Sequence, residues 1–120
     1  MRSILFKAKK LSDGKWVKGS LVKTPFGTFI EWYEDSICNK REVDTDTVCQ
    51  STGLTDCKGN EIWEHDLIHF VGCKPTAEVF WSEEDYAFVA ASENEPHYLL
   101  PHVLKIDKIE RVGNKFDKEK

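Results

Sequence analysis

The sequence predicts an all-β protein, and three observations predict it. Apolar and polar residues alternate with period two, as on strands buried on one face. Turn signals break the chain every 6–12 residues. No segment holds three turns of 3.6-residue periodicity, and no internal repeat is present. The expected α-helix content is therefore below about a tenth, against a base rate near one third.

The elements follow in order. Ile4, Phe6 and Ala8 alternate with Lys7 and Lys9, giving a first strand over residues 4–9. Leu11-Ser12-Asp13-Gly14 is a turn, because Asp-Gly supplies the positive φ of a tight hairpin. Residues 15–22 form the returning strand, where Gly19 marks a bulge or a close backbone approach. Thr24-Pro25-Phe26-Gly27 is a second turn, and the β-branched and aromatic run 28–33 a third strand. Residues 34–47 are polar and acidic and read as a surface loop, with 43–49 extended again.

Asp56-Cys57-Lys58-Gly59-Asn60 is a strong turn. Leu67–Val71 is apolar on both faces and is broken by Gly72-Cys73-Lys74-Pro75. Residues 77–81 and 86–90 make a hairpin around Ser82–Asp85. Residues 92–102, with Pro96 and Pro101, read as a loop with at most one helical turn. Residues 103–106 and 109–114 are the last ordered stretches, and 115–120 a frayed tail. Trp63, Leu67, Val79, Trp81, Phe88 and Val112 are the expected core of the C-terminal half. Removal of the Trp81 side chain would then cost about 3–5 kcal/mol.

Composition limits function. Charged residues are 32% and aromatic residues 12%, so the chain is neither disordered nor apolar enough to span a bilayer. Near the N-terminus only Ile4-Leu5-Phe6 is continuously apolar, too short for a signal peptide, and a cytoplasmic location is expected. Cys38, Cys49, Cys57 and Cys73 form no C-x-x-C pair and read as free thiols. His65 and His69 lie about 13 Å apart on a strand, too far for one metal ion. Glu61, Glu64 and Asp66 cluster near a turn and read as rim or turn carboxylates rather than an acid–base pair. His97 and His102, among prolines, read as surface residues. No nucleophile elbow, zinc-protease helix, Walker loop or dinucleotide fingerprint occurs. The expectation is a non-enzyme with no catalytic residues, cofactor or metal.

The net charge of −4 is unevenly spread: residues 1–27 carry +6, 28–66 carry −7, 67–104 carry −5 and 105–120 carry +2. Lys7, Lys9, Lys10, Lys15 and Lys18 could meet nucleic-acid phosphates. Overall acidity favours an acidic protein surface, this chain's own or another copy's. Trp16, Trp32, Trp63 and Trp81 fall on separate strands, as core or interface residues rather than a base-stacking platform. The small N-terminal sheet can bury one face, leaving Leu5, Val17 and Leu21 on the other as candidate interface residues. A homo-oligomer built through residues 1–33 is expected.

The stretch Val48-Cys49-Gln50-Ser51-Thr52-Gly53-Leu54-Thr55-Asp56-Cys57-Lys58-Gly59-Asn60-Glu61-Ile62-Trp63-Glu64-His65-Asp66-Leu67-Ile68 resembles the signature of the YopX family of small phage and prophage proteins. So do Ile4–Ala8 with Lys15-Trp16-Val17 and Gly19-Ser20-Leu21, Val79-Phe80-Trp81 ahead of Phe88, and Ile109–Asn114. The resemblance implies an N-terminal β-hairpin or sheet region over 1–50 that assists self-association, then an SH3-like small barrel over 51–114. It implies a non-enzymatic interaction or assembly module acting through protein contacts with itself or with an unknown host or phage protein. Nucleic-acid binding through the barrel and the N-terminal lysines is the alternative, and no membrane partner is implied. Two departures stand out: His65 occupies a position where the family pattern has Gly, and Ser51 one where it has an aromatic residue. His takes positive φ only uncommonly, whereas Gly takes it freely.

Overall fold

Strands dominate the computed structural model, which describes residues 5–70, 76–92, 98–106 and 108–117. Ile4, Val71, the break at 72–75 with Cys73, Pro96, His97 and the tail residues 118–120 lie outside the described residues. Among the described residues there is one α-helix, seven residues long. The chain divides into two compact units, Met1–Ser51 and Thr52–Lys120.

In the first unit β1 (Phe6–Lys9) and β2 (Trp16–Thr24) pair antiparallel, from Phe6 opposite Gly19 to Lys9 opposite Trp16. Gly14 turns the chain at φ +74°, and the Asp13 carboxylate accepts the Lys15 N–H at 3.0 Å. Beyond Gly19, β2 changes partner and pairs with β3 (Gly27–Glu34) from Ser20 opposite Glu31 onward. A Cβ on Gly19 would lie 2.2 Å from the Glu31 carbonyl oxygen, so this crossing requires glycine.

Residues 34–47 are not a loop. Asp35 and Ser36, at φ +52° and +68°, turn the chain into β4 (Ile37–Glu42), which pairs along β3. Two consecutive positive φ values are the mark of a tight type I′ hairpin turn. Asn39 alone in β4 is even half-buried, so the strand has no apolar face and shows no alternation.

Past β4, Val43 is buried, donates its N–H to the Thr28 carbonyl at 2.9 Å and bridges to Lys10. A 3-10 turn, Thr45–Thr47, follows, capped by the Asp44 carboxylate accepting the Asp46 N–H. The chain then enters β5 (Cys49–Thr55), whose start pairs with the free edge of β1. These returns curl the sheet around Ala8, Ile30 and Val43, with Phe6, Val17, Leu21, Trp32 and Val48 packed against them.

In the second unit β5 has β6 (Glu61–Trp63) as its neighbour. A five-stranded antiparallel sheet runs in the order β10-β9-β8-β7-β11. Its strands are β7 (Asp66–Phe70), β8 (Ala77–Ser82), β9 (Ala87–Ala91), β10 (Tyr98–Leu99) and β11 (Ile109–Asn114). The helix α1 (Leu100–Ile106) joins the last two strands and contributes the fully buried Leu100. Ile62, Ile68, Ala77, Val79, Ala90, Leu100 and Ile109 form the core. The pairing among the described residues is that of an open antiparallel sheet.

The expected core list needs correction. Trp63 and Val79 are buried, and Leu67 and Phe88 are half-buried. Trp81 is 40% exposed, because it lies near the end of β8 beside the turn, where its ring meets Phe88 edge-on at 5.2 Å. Val112 is 57% exposed, because the register of β11 shifts between Arg111 and Gly113 and turns it outward. The cost expected for losing a fully buried Trp81 therefore does not apply. Lys115–Asp117, expected as part of a frayed tail, form a 3-10 turn in which Asn114 Oδ1 accepts the Phe116 N–H.

His65 adopts a left-handed backbone conformation, at φ +68°. Its N–H donates to the Val79 carbonyl at 2.6 Å and its carbonyl accepts the Lys115 N–H at 2.8 Å. Its Nδ1 lies 2.9 Å from the Glu78 carboxylate, and its ring meets Phe116 edge-on at 5.3 Å. Two variants separate these effects. His65→Gly loses the ring contacts but relieves the backbone, whereas His65→Ala loses the contacts and keeps the strain. The Ala variant is expected to be less stable than the Gly variant by about 1 kcal/mol in urea unfolding. Equal stabilities would show that the backbone here carries no strain.

Candidate interaction surface

The register of the first unit sorts side chains onto two faces. Residues directly opposite in an antiparallel pair share a face, and neighbours along a strand alternate. Ala8 lies opposite Val17, and Leu21 opposite Ile30, so Val17 and Leu21 stand on the inner face. Both are half-buried against the core rather than displayed outward, which corrects their expected place. The pairing register, rather than apolar character, decides the face. Leu5 precedes β1 and is 38% exposed, and its carbonyl accepts the Ser51 N–H.

The outward face carries the largely covered Lys7, 5% exposed, and Lys9 on β1, Trp16 and Lys18 on β2, Phe29, Glu31 and Tyr33 on β3, and Lys40 on β4. Lys7 lies directly opposite Lys18, an arrangement that opposes folding unless its charge is screened. Trp16 provides part of that screening. The Lys7 ammonium sits 4.4 Å from the Trp16 ring centre and the Lys9 ammonium 5.5 Å from it. Such contacts contribute about 0.5–2 kcal/mol depending on desolvation. Lys40 lies over Phe29 in the same way, at 5.3 Å. The Tyr33 hydroxyl is pushed above the usual tyrosine value by the neighbouring Cys38 thiol and then by the Glu31 carboxylate.

Lys10 and Lys15 do not join this face. Lys10 pairs with Asp13 at 3.2 Å, and the exposed Lys15 follows the same turn. The Lys15 N–H holds the Asp13 carboxyl below the usual carboxylate value. Of the five candidate lysines, Lys7, Lys9 and Lys18 come together. Sequence reasoning missed Phe29, Tyr33 and Lys40 as their neighbours, since β4 went unrecognised. The signal for the rest was present: Lys7/Lys9 and Trp16/Lys18 each recur at period two.

The carboxylates of the second unit are differently placed. Asp66 is fully buried; Oδ2 accepts the Trp63 N–H at 2.7 Å and Arg111 Nε at 2.8 Å, and Oδ1 accepts Asn114 Nδ2 at 2.8 Å. Glu61 and Glu64 are half-buried. His69 lies on β7 opposite Glu110, and His65 in the preceding turn, so the two histidines occupy different elements. His102, on α1, is exposed. Among the described residues no three His, Cys, Asp or Glu side chains gather where they could hold a metal ion.

Asp56 is buried, and burial pushes its carboxyl upward. The Arg111 N–H, both donors of Asn60 and the Lys58 N–H outweigh this and hold it below the usual carboxylate value. A carboxyl lowered on folding adds stability above its unfolded value of about 3.9, and that stability is lost as pH falls through the folded value. Acid unfolding of Asp56→Asn is therefore expected to show a shallower loss of stability below about pH 4. An acid limb of unchanged slope would count against this role. These bonds saturate Asp56, and those above leave Asp66 equally committed, so both carboxylates serve the fold.

The protein-family model described as YopX protein matches residues 5–119 of this chain. No curated protein matches it. No helix among the described residues is long and apolar enough to cross a membrane.

Proposed function

We propose, from the premise that this chain belongs to the YopX family, that it is a non-enzymatic interaction module which self-associates through its first unit. The observation that carries this reading is the outward face of the first sheet. It presents the exposed Tyr33 and the half-buried Trp16 and Phe29 among lysines while the opposite face buries the core. Tyr33 is 70% exposed. Exposed aromatic residues set among cations are characteristic of contact surfaces. In this reading the protein is phage- or prophage-encoded, works in the bacterial cytoplasm, and contacts itself and a host or phage protein.

Nucleic acid is the second reading, favoured by the lysines gathered around Trp16. Two features weigh against it. The ammonium groups of Lys7 and Lys9 already occupy the ring on which a base would stack. The net charge of −4 also repels a polyanion at long range.

Light scattering at micromolar concentration tests the first reading, on the intact chain and on Tyr33→Glu. The intact chain is expected above its monomer mass of 13.9 kDa. Tyr33→Glu is expected to shift it toward monomer with an unchanged circular dichroism melt. A mass unaffected by Tyr33→Glu would move the contact to another surface.

A further inference from the structure

We propose that the Lys9–Trp16–Lys18 half of the outward face receives the β8–β9 turn of a second copy, so that copies join head to tail. This rests on the self-association reading above and names the surface that would fill the site.

Charge supports the pairing first. The first unit holds nine Lys and Arg against seven Asp and Glu, and the second holds eight against fourteen, giving +2 and −6. The first unit's excess comes from residues 1–27, which are the strands that build the basic half of the face. The chain therefore carries its own acidic counterpart, present in every copy at equal concentration.

Within the second unit the β8–β9 turn has the matching form. Ser82 Oγ donates to the Asp85 carboxylate at 2.9 Å and accepts the Asp85 N–H at 3.2 Å, which fixes the tip. Asp85 is spent on that lock, while Glu83 and Glu84 stand exposed at the apex. They are flanked by Trp81, 40% exposed, and Tyr86, 80% exposed. A tip already held in shape loses little conformational entropy on docking. Glu83 and Glu84 would meet Lys9 and Lys18, and the flanking rings would shield those pairs from water. The face and the tip are different surfaces, so the contact is heterologous and generates a ring if it closes, or an open chain if it does not.

Charge exchange tests this in the full-length protein. Glu83→Lys with Glu84→Lys makes both surfaces basic, and Lys9→Glu with Lys18→Glu makes both acidic. Each double variant alone is expected to associate about tenfold or more weakly than the parent. An equimolar mixture is expected to regain assembly, because each basic surface then finds an acidic one. Circular dichroism melts establish folding, and Glu83→Gln with Glu84→Gln provides a milder second variant with the same expected direction. Parent-like assembly of the Glu83/Glu84 variants, or a mixture that stays dissociated, would overturn the proposal while leaving self-association intact. A monomeric parent would overturn both. A single-stranded oligonucleotide bound with a steep salt dependence that Lys9→Glu with Lys18→Glu abolishes, in a parent whose assembly those changes spare, would assign the face to nucleic acid instead.

Discussion

Replacing Asp66 by Ala is expected to destabilise the second unit by about 3–5 kcal/mol. The side chain is fully buried and ties its own strand β7 to β6 through the Trp63 N–H and to β11 through Arg111 Nε and Asn114 Nδ2. Trp63 and Asn114 are themselves 2% and 3% exposed, so water cannot replace the lost acceptor. Each stranded buried donor costs about 1–3 kcal/mol. Arg111 is 26% exposed along its side chain and keeps some hydration, which limits the total. Asp66→Asn is close in shape but not in chemistry. One of its two terminal atoms becomes a donor and must face either Asn114 or the Trp63–Arg111 pair, all of which also donate. Its cost is therefore expected to fall between those of the parent and Asp66→Ala. Hydrogen exchange at the amides of β7 and β11 reads the second unit by itself, avoiding the assumption that both units unfold together. A loss below about 1 kcal/mol for Asp66→Ala would contradict the burial and bonding described.

Gly19→Ala is the corresponding test in the first unit, with an expected cost at or above the top of the roughly 1–3 kcal/mol range for overpacking. The new Cβ would meet the Glu31 carbonyl oxygen at 2.2 Å and Trp32 Cβ at 3.1 Å. The carbonyl belongs to β3 and cannot move without breaking the pairing that begins at Ser20. Gly53→Ala makes an informative contrast. There φ is +79° but nothing lies within 4 Å of the added carbon, so only a left-handed backbone cost of about 1–2 kcal/mol applies. Crowding is thus expected to exceed backbone strain, and urea unfolding of both variants checks the order. A Gly19→Ala variant as stable as the parent would mean that β2 does not cross from β1 to β3 at this residue.

Strands whose inner face is buried were legible in the sequence. β1, β2 and β3 alternate, β8 and β9 flank a clear turn, and Gly14, Gly19 and Gly59 stand where turns or a crossing need them. β4 was hidden because it has no buried face from which alternation could arise. The helix α1 was hidden by Pro101, which reads as a breaker yet fits in a first helical turn, where its missing N–H costs nothing. The outward face was half legible. Alternation of lysines announced it, but assigning Val17 and Leu21 to a side required the register that places Val17 opposite Ala8. His65 shows the opposite case: a residue that takes positive φ only uncommonly sits at φ +68°, where neighbouring elements hold both its N–H and its carbonyl.

Sedimentation equilibrium of the intact chain tests self-association most directly, at several micromolar concentrations and at low and high salt. The expected result is a mass that is a multiple of 13.9 kDa at low salt and falls toward the monomer near about 1 M salt, where charge pairing is screened. A mass of 13.9 kDa at every concentration and salt would contradict it.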